Sequence, residues 1–114
     1  MLEVKIFTLY PDLFPGPLDI GIFKKAKENK IWKLKVINIR DYSKDNHGTV
    51  DDTPFGGGSG MLLRPDILAS ALDENITRGE KIIYLSPRGK KFDQNAARSL
   101  SKEKKLNLIC GHFE

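Results

Sequence analysis

The stretch KIIYL at residues 81–85 is a nearly continuous apolar run, and it decides the fold class. A run of this kind is typical of a strand that is covered on both faces, as in a parallel sheet. The polar residues 86–89 end it, a helical pattern follows from Asp93, and LNLIC at residues 106–110 predicts the next strand. A strand, a helix and a strand in this order predict two parallel strands joined by a right-handed crossover.

The same alternation extends toward the start of the chain. Residues 4–9 and 34–39 have the pattern of strands, and apolar residues between Leu18 and Ala26 recur at helical spacing. Pro65 begins a further helical segment that ends between residues 75 and 79. We therefore predict an α/β fold, an open and mainly parallel sheet with helices on both faces, formed as a single domain over residues 1–114.

The polar and glycine-rich segments of the chain all follow predicted strands. In open sheets of this class, ligands bind beyond the carboxyl ends of the strands. Those ends are followed here by residues 10–11, by a glycine-rich segment at 47–61, by SPRG at 86–89 and by GHFE at 111–114. The sequence therefore predicts a ligand-binding edge on one side of the sheet.

The glycine-rich segment HGTVDDTPFGGGSGM, residues 47–61, has four glycines in five positions behind two carboxylates and a histidine. Glycine lets backbone N–H groups approach a flat or anionic ligand closely. The segment matches neither the dinucleotide fingerprint nor the P-loop pattern, so a site of either type is not expected. A flexible Gly/Ser hinge is the alternative interpretation.

Several titratable residues allow more than one interpretation. His47, Asp51 and Asp52 could transfer protons, or the two aspartates could cap turns. Cys110 and His112 lack the second pair of ligands that a zinc site requires, and we predict no metal. Ser86 lacks the G-x-S-x-G setting of a hydrolase nucleophile.

Charge and composition limit the possible partners. A net charge of +4 suits a polyanionic partner without requiring one. Six lysines between residues 24 and 35 surround Trp32, and they either contact phosphates or solvate a helix face. With one cysteine, no signal-peptide pattern and no apolar run near the ~20 residues of a membrane span, we expect a cytoplasmic protein.

Three motifs, in this order, resemble the bacterial tRNA (guanine-N1)-methyltransferase family: VDDTPFGGGSGM at 50–61, IYLSPRGK at 83–90 and CGHFE at 110–114. That family belongs to the knotted SPOUT methyltransferases and uses S-adenosylmethionine. It methylates N1 of the guanosine on the 3′ side of the tRNA anticodon and works as a homodimer. The resemblance implies this fold, this methyl donor and tRNA as the partner.

The resemblance also implies roles for individual residues. Contacts with the methyl donor are implied for Tyr84, Leu85, Ser86, Pro87, Gly111, Phe113 and Glu114. Contacts with the target guanine and its neighbour are implied for His47, Asp51, Gly57, Gly58, Ser59 and Gly60. No catalytic residue is implied in this chain, because the family assigns removal of the guanine N1 proton to an aspartate further along.

The chain departs from the usual family pattern at four positions. Arginine is common where Thr53 and His112 stand, proline where Ser59 stands and tyrosine where Phe113 stands. Loss of the two arginines is expected to weaken RNA contacts. The resemblance covers the whole chain but only about the first half of a family member, so the knot region and the C-terminal RNA-binding domain are absent. We therefore expect an N-terminal portion that is inactive alone.

Two other classes of function compete with this hypothesis. The chain could be a non-catalytic α/β module that binds RNA or a nucleotide through the glycine-rich segment and the basic edge. It could also be a packing or assembly domain. The assembly hypothesis leaves the grouping of unusual loops on one sheet edge unexplained.

Overall fold

The computed structural model describes residues 1–43, 51–52, 62–63 and 65–110 of the chain, and residues 51–52 and 62–63 through their backbone alone. The strands are β1 (Leu2–Thr8), β2 (Trp32–Asn38), β3 (Asp51–Asp52), β4 (Leu62–Leu63), β5 (Lys81–Tyr84) and β6 (Lys105–Cys110). The α-helices are α1 (Gly21–Glu28), α2 (Pro65–Asn75) and α3 (Gln94–Ser101). Short 3₁₀ turns occupy Pro11–Leu13, Gly16–Asp19 and Ile39–Tyr42.

Four of these strands form one parallel sheet in the order β2-β1-β6-β5. In this register Phe7 of β1 lies between Ile37 of β2 and Ile109 of β6. Helix α1 connects β1 to β2, and α3 connects β5 to β6. The structure thus confirms the predicted α/β fold with a mainly parallel sheet.

Helices lie on both faces of this sheet, as predicted. The main core joins one face to α2 through Phe7, Leu9, Ile37, Ile39, Ile67, Ala71 and Ile109. On the opposite face, Phe23 of α1 and Val4 line one apolar groove, and Leu100 of α3 lines another. Because side chains alternate along a strand, the residues next to the core residues point to this second face.

Local sequence explains where the helices begin. Pro65 is the first residue of α2, where its missing N–H costs no helical hydrogen bond. The carboxylate of Asp93 accepts a hydrogen bond from the backbone N–H of Ala96 at 2.8 Å, which caps α3 as predicted. Helix α1 has no side-chain cap and begins at Gly21, whose φ is +62°. It is preceded by the 3₁₀ turn Gly16–Asp19.

One prediction about β5 is wrong. Its apolar run predicts a strand covered on both faces, yet Ile82 and Tyr84, which point to the same face, are exposed. Ile82, Tyr84 and Leu85 are 48%, 46% and 50% exposed. An apolar run reports which side chains can be buried, whereas the elements that pack against each face decide which of them are. The best-buried strand ends belong to the central strands β1 and β6.

Candidate functional site at the carboxyl edge of the sheet

All four strands of the parallel sheet run in the same direction, so their carboxyl ends lie at one edge. Tyr10 follows β1 and residues 85–89 follow β5 at this edge, as the sequence predicts. The 3₁₀ turn Ile39–Tyr42 follows β2. The glycine-rich segment after residue 52 and residues 111–114 after β6 lie outside the described residues.

The segment after β5 is tied to the end of β6. Tyr84 pairs with Ile109 in the register, and the backbone N–H of Leu85 donates to the carbonyl of Ile109 at 3.1 Å. Residues 84–87 therefore begin beside the strand end that leads into residues 111–114. These are the two segments for which the resemblance implies donor contacts, and the fold brings their described ends together.

Beyond Leu85 the backbone makes a tight turn. The hydroxyl of Ser86 accepts a hydrogen bond from the N–H of Arg88 at 3.1 Å. The N–H of Gly89 donates to the carbonyl of Ser86 at 3.2 Å. A serine hydroxyl that bonds the backbone two residues ahead stabilises such a turn. The turn leaves Tyr84, Leu85 and Pro87 exposed at the sheet edge.

Two side chains at the ends of β1 and β2 form a second feature of this edge. The Nε of Arg40 donates to the carbonyl of Leu9 at 3.1 Å, and its backbone N–H donates to Asn38 at 3.0 Å. Its guanidinium lies 5.5 Å from the centroid of the Tyr10 ring. Arg40 could not be identified from the sequence, because nothing local indicates a bond to a residue 31 positions away.

Two short antiparallel strands, β3 and β4, lie on either side of residues 53–61 of the glycine-rich segment. Asp51 pairs with Leu63, and Asp52 pairs with Leu62. The pairing brings the two ends of the intervening segment together. Of the predicted substrate-binding residues, only the backbone of Asp51 is described; His47, Gly57, Gly58, Ser59 and Gly60 lie outside the described residues, as do the donor-site residues Gly111, Phe113 and Glu114.

Comparison with known proteins decides the family. Residues 2–114 match the family model described as tRNA (Guanine-1)-methyltransferase TrmD. The chain belongs to this family. The match extends from β1 through every element described above.

Curated relatives carry the name tRNA (guanine-N(1)-)-methyltransferase. The protein of Pelagibacter ubique strain HTCC1062 is 66% identical over 114 residues, which are 100% of this chain and 50% of the relative. The protein of Wolbachia pipientis subsp. Culex pipiens is 43% identical over 98% of the chain and 49% of the relative. That of Alkaliphilus oremlandii strain OhILAs is 46% identical over 97% of the chain and 48% of the relative. The chain thus spans about half the length of the curated relatives it matches.

In this member of the TrmD family, the best-connected polar cluster lies away from the candidate site. Glu80, just before β5, accepts hydrogen bonds from the N–H and hydroxyl of Thr77 at 2.8 and 2.6 Å and from Asn107 at 3.1 Å. Its carboxylate lies 3.9 Å from the Nζ of Lys5, which also donates to the carbonyl of Asn75. The hydrogen bonds from Thr77 lower the pKa of Glu80 to about 2.

Cys110, the last residue of β6, lies at the carboxyl edge of the sheet. Burial raises the pKa of the Cys110 thiol, which keeps it protonated and suits a packing residue. The carboxylate with the strongly lowered pKa, Glu80, lies toward the amino ends of the strands. At the carboxyl edge the described part of the chain presents the exposed side chains of Tyr84, Leu85 and Pro87, which are suited to binding.

Two of the six lysines of the basic segment form ion pairs. Lys27 lies 3.0 Å from Asp19 and 5.7 Å from the centroid of the Trp32 ring, and Lys33 lies 2.8 Å from Glu3. Lys24, Lys25, Lys30 and Lys35 are exposed. Both interpretations of this segment, phosphate contact and a solvated face, therefore stay open. None of the described helices is both long and apolar enough to cross a membrane.

Proposed function

We propose that this chain is the N-terminal part of the methyltransferase domain of a tRNA (guanine-N1)-methyltransferase that uses S-adenosylmethionine. The target is N1 of the guanosine on the 3′ side of the anticodon. The observation that carries the proposal is the family match over residues 2–114, across a chain that spans about half of its relatives. The proposal includes action in the cytoplasm, where tRNA is modified. It also includes assembly as a homodimer.

The methyl donor is assigned to the carboxyl edge. Tyr84, Leu85, Ser86 and Pro87 form one side of its site, and Gly111, Phe113 and Glu114 form the other. The Leu85–Ile109 hydrogen bond supports this assignment, because it holds the described ends of the two segments side by side. The exposed ring of Tyr84 and side chain of Leu85 provide apolar surface of the kind that lines nucleoside pockets.

The tRNA is assigned to the same edge through the glycine-rich segment. His47, Asp51, Gly57, Gly58, Ser59 and Gly60 would contact the target guanine and its neighbour. The pairing of β3 with β4 supports this assignment, because it holds residues 52 and 62 close together, and the net charge of +4 favours a polyanion. A base that reacts at a ring nitrogen must be held in a shaped pocket, which close backbone approach permits.

The reaction requires a group that accepts the proton of the guanine N1. The guanine N1 must lose its proton and attack the methyl carbon, while the sulfonium leaves as a thioether. The resemblance assigns removal of this proton to an aspartate further along the chain of a family member, beyond the part that this sequence matches. We therefore assign this chain to binding and orientation, and we expect it to be inactive alone.

Calorimetry tests the assignment. S-adenosylmethionine is titrated into the purified chain, and methyl transfer from radiolabelled donor to tRNA is measured on the same preparation. We expect saturable donor binding with one site per chain and no transfer. Transfer by this chain would contradict the binding-only role. RNA binding with no heat from the donor would instead favour the non-catalytic RNA-binding module.

A further inference from the structure

Tyr10 is an exposed aromatic ring at the edge where the RNA is proposed to bind. It follows β1 by two residues and is 42% exposed, whereas its neighbour Leu9 is 1% exposed. Its backbone is fixed, since its N–H donates to the hydroxyl of Thr8 at 3.0 Å and its carbonyl accepts from Leu13 at 3.1 Å. The ring is therefore presented from a rigid turn.

Arg40 supports this ring from the neighbouring strand end. Its guanidinium lies 5.5 Å from the ring centroid, and its Nε–H···O bond to the carbonyl of Leu9 fixes the side chain against the end of β1. A cation at this distance from an aromatic ring attracts it, and a guanidinium also attracts phosphate. The pair thus combines a flat surface with a positive charge, and both are already in place.

We propose that Tyr10, together with Arg40, is a stacking site for one unpaired base of the RNA substrate. Aromatic rings and guanidinium planes are the surfaces on which proteins stack the bases of single-stranded loops. A rigid ring loses little conformational entropy on binding. This inference rests on the proposed function, which supplies tRNA as the substrate and a loop nucleotide as the target.

A flat purine could also come from the methyl donor, whose adenine has the same stacking chemistry. The position of the pair favours the RNA. Tyr10 and Arg40 follow β1 and β2, the two strands farthest from β5, whereas the two proposed donor segments follow β5 and β6. The experiment below therefore measures both ligands.

The test uses an anticodon stem-loop RNA with 2-aminopurine in its loop, whose fluorescence falls on stacking and whose anisotropy reports binding. The variants are Tyr10→Ala, Tyr10→Phe and, as a matched control, Phe23→Ala, which removes a similarly exposed ring lining the groove on the second face. We expect Tyr10→Ala to bind the loop RNA roughly five- to thirtyfold more weakly and to lose the quenching. The affinity of Tyr10→Phe for the loop RNA should stay within about twofold of the parent, because a ring remains at position 10. Phe23→Ala should do the same, because it leaves Tyr10 and Arg40 unchanged.

Three results would overturn the inference. One is equal loop binding and quenching in Tyr10→Ala and the parent. Another is a loss confined to S-adenosylmethionine binding, which would place the donor's adenine on the ring. The third is no RNA binding by the parent chain. Calorimetry with S-adenosylmethionine on the same preparation separates the stacking site from the proposed function. If the donor binds but the stacking test fails, the stacking site is contradicted and the proposed function is not.

Discussion

The two ends of the parallel sheet differ in whether their side chains are bonded within the fold or exposed. Toward the amino ends, Glu80, Asn107 and Lys5 are buried or nearly buried and are bonded to one another or to the backbone. At the carboxyl ends, Tyr84, Leu85 and Tyr10 are exposed while their backbones are fixed by hydrogen bonds. Side chains bonded within the fold stabilise it, whereas exposed aromatic and apolar side chains on a fixed backbone offer surface of the kind that binds ligands.

The largest effect is expected from Glu80→Gln. The substitution replaces a buried carboxylate that accepts from Thr77 and Asn107 and lies near Lys5, so it weakens several charge-assisted bonds together. We expect the free energy of unfolding to fall by about 2–3 kcal/mol in urea denaturation. The control Glu74→Gln alters an exposed carboxylate on α2 and should change it by less than about 0.5 kcal/mol. Weaker donor binding by folded Glu80→Gln would remove the distinction between the two ends.

Acid should weaken the amino-end cluster through the same carboxylate. The pKa of Glu80 is about 2 in the fold, against 4.5 for an ordinary glutamate, so its ionised form is favoured by folding. The stability it contributes is fully present above pH 4.5 and is lost as the pH falls toward 2. We expect the parent chain to lose more stability than Glu80→Gln across this window in urea titrations. Identical pH dependence of the two proteins would show that the carboxylate contributes nothing.

A charge introduced at the carboxyl edge should weaken donor binding much more than it lowers the free energy of unfolding. Leu85→Asp places a carboxylate on a half-exposed position and leaves the backbone bond to Ile109 intact. We expect S-adenosylmethionine binding, measured by calorimetry, to weaken tenfold or more, because an apolar contact is replaced by a desolvated charge. The free energy of unfolding should change by less than about 1 kcal/mol. Unchanged donor affinity would exclude Leu85 from the donor site.

The smallest of these effects is expected at the cap of α3. Asp93→Ala removes the hydrogen bond to the N–H of Ala96 and should lower the free energy of unfolding by about 1 kcal/mol. Asp93→Ser retains a capping oxygen and should restore most of it. Neither should change donor binding by more than about twofold, since the cap acts on the helix. A donor-binding defect in Asp93→Ala that Asp93→Ser does not rescue would extend the site to α3.

The sequence was sufficient for the parts of the fold that local patterns determine. The apolar run before residue 86, Pro65 and Asp93 marked β5, α2 and α3 because each leaves a signal within a few residues. The edge position of β5 left no such signal, since strand order depends on pairing with distant β6. Asn107 likewise looks like an ordinary polar residue, although it is fully buried beside Glu80.

The candidate site also has parts that the sequence predicted and parts that it did not. Its location at the carboxyl edge followed from strand direction, and the motif at residues 83–90 indicated donor contacts by resemblance. The Tyr10–Arg40 pair was missed, because the bond that fixes Arg40 goes to the carbonyl of Leu9, just beyond the end of β1. Long-range contacts of this kind are set by the fold and cannot be read from residue spacing.

Backbone amide NMR of the ¹⁵N-labelled chain, titrated with S-adenosylmethionine, tests the account most directly. We predict shift changes that saturate and are confined to the carboxyl edge, centred on Leu85, Ser86 and Arg88. The amides of Lys5, Glu80 and Asn107 should stay in place. Shift changes centred on those three residues, or none at Leu85 and Ser86 at saturating donor, would contradict the assignment of binding to the carboxyl edge.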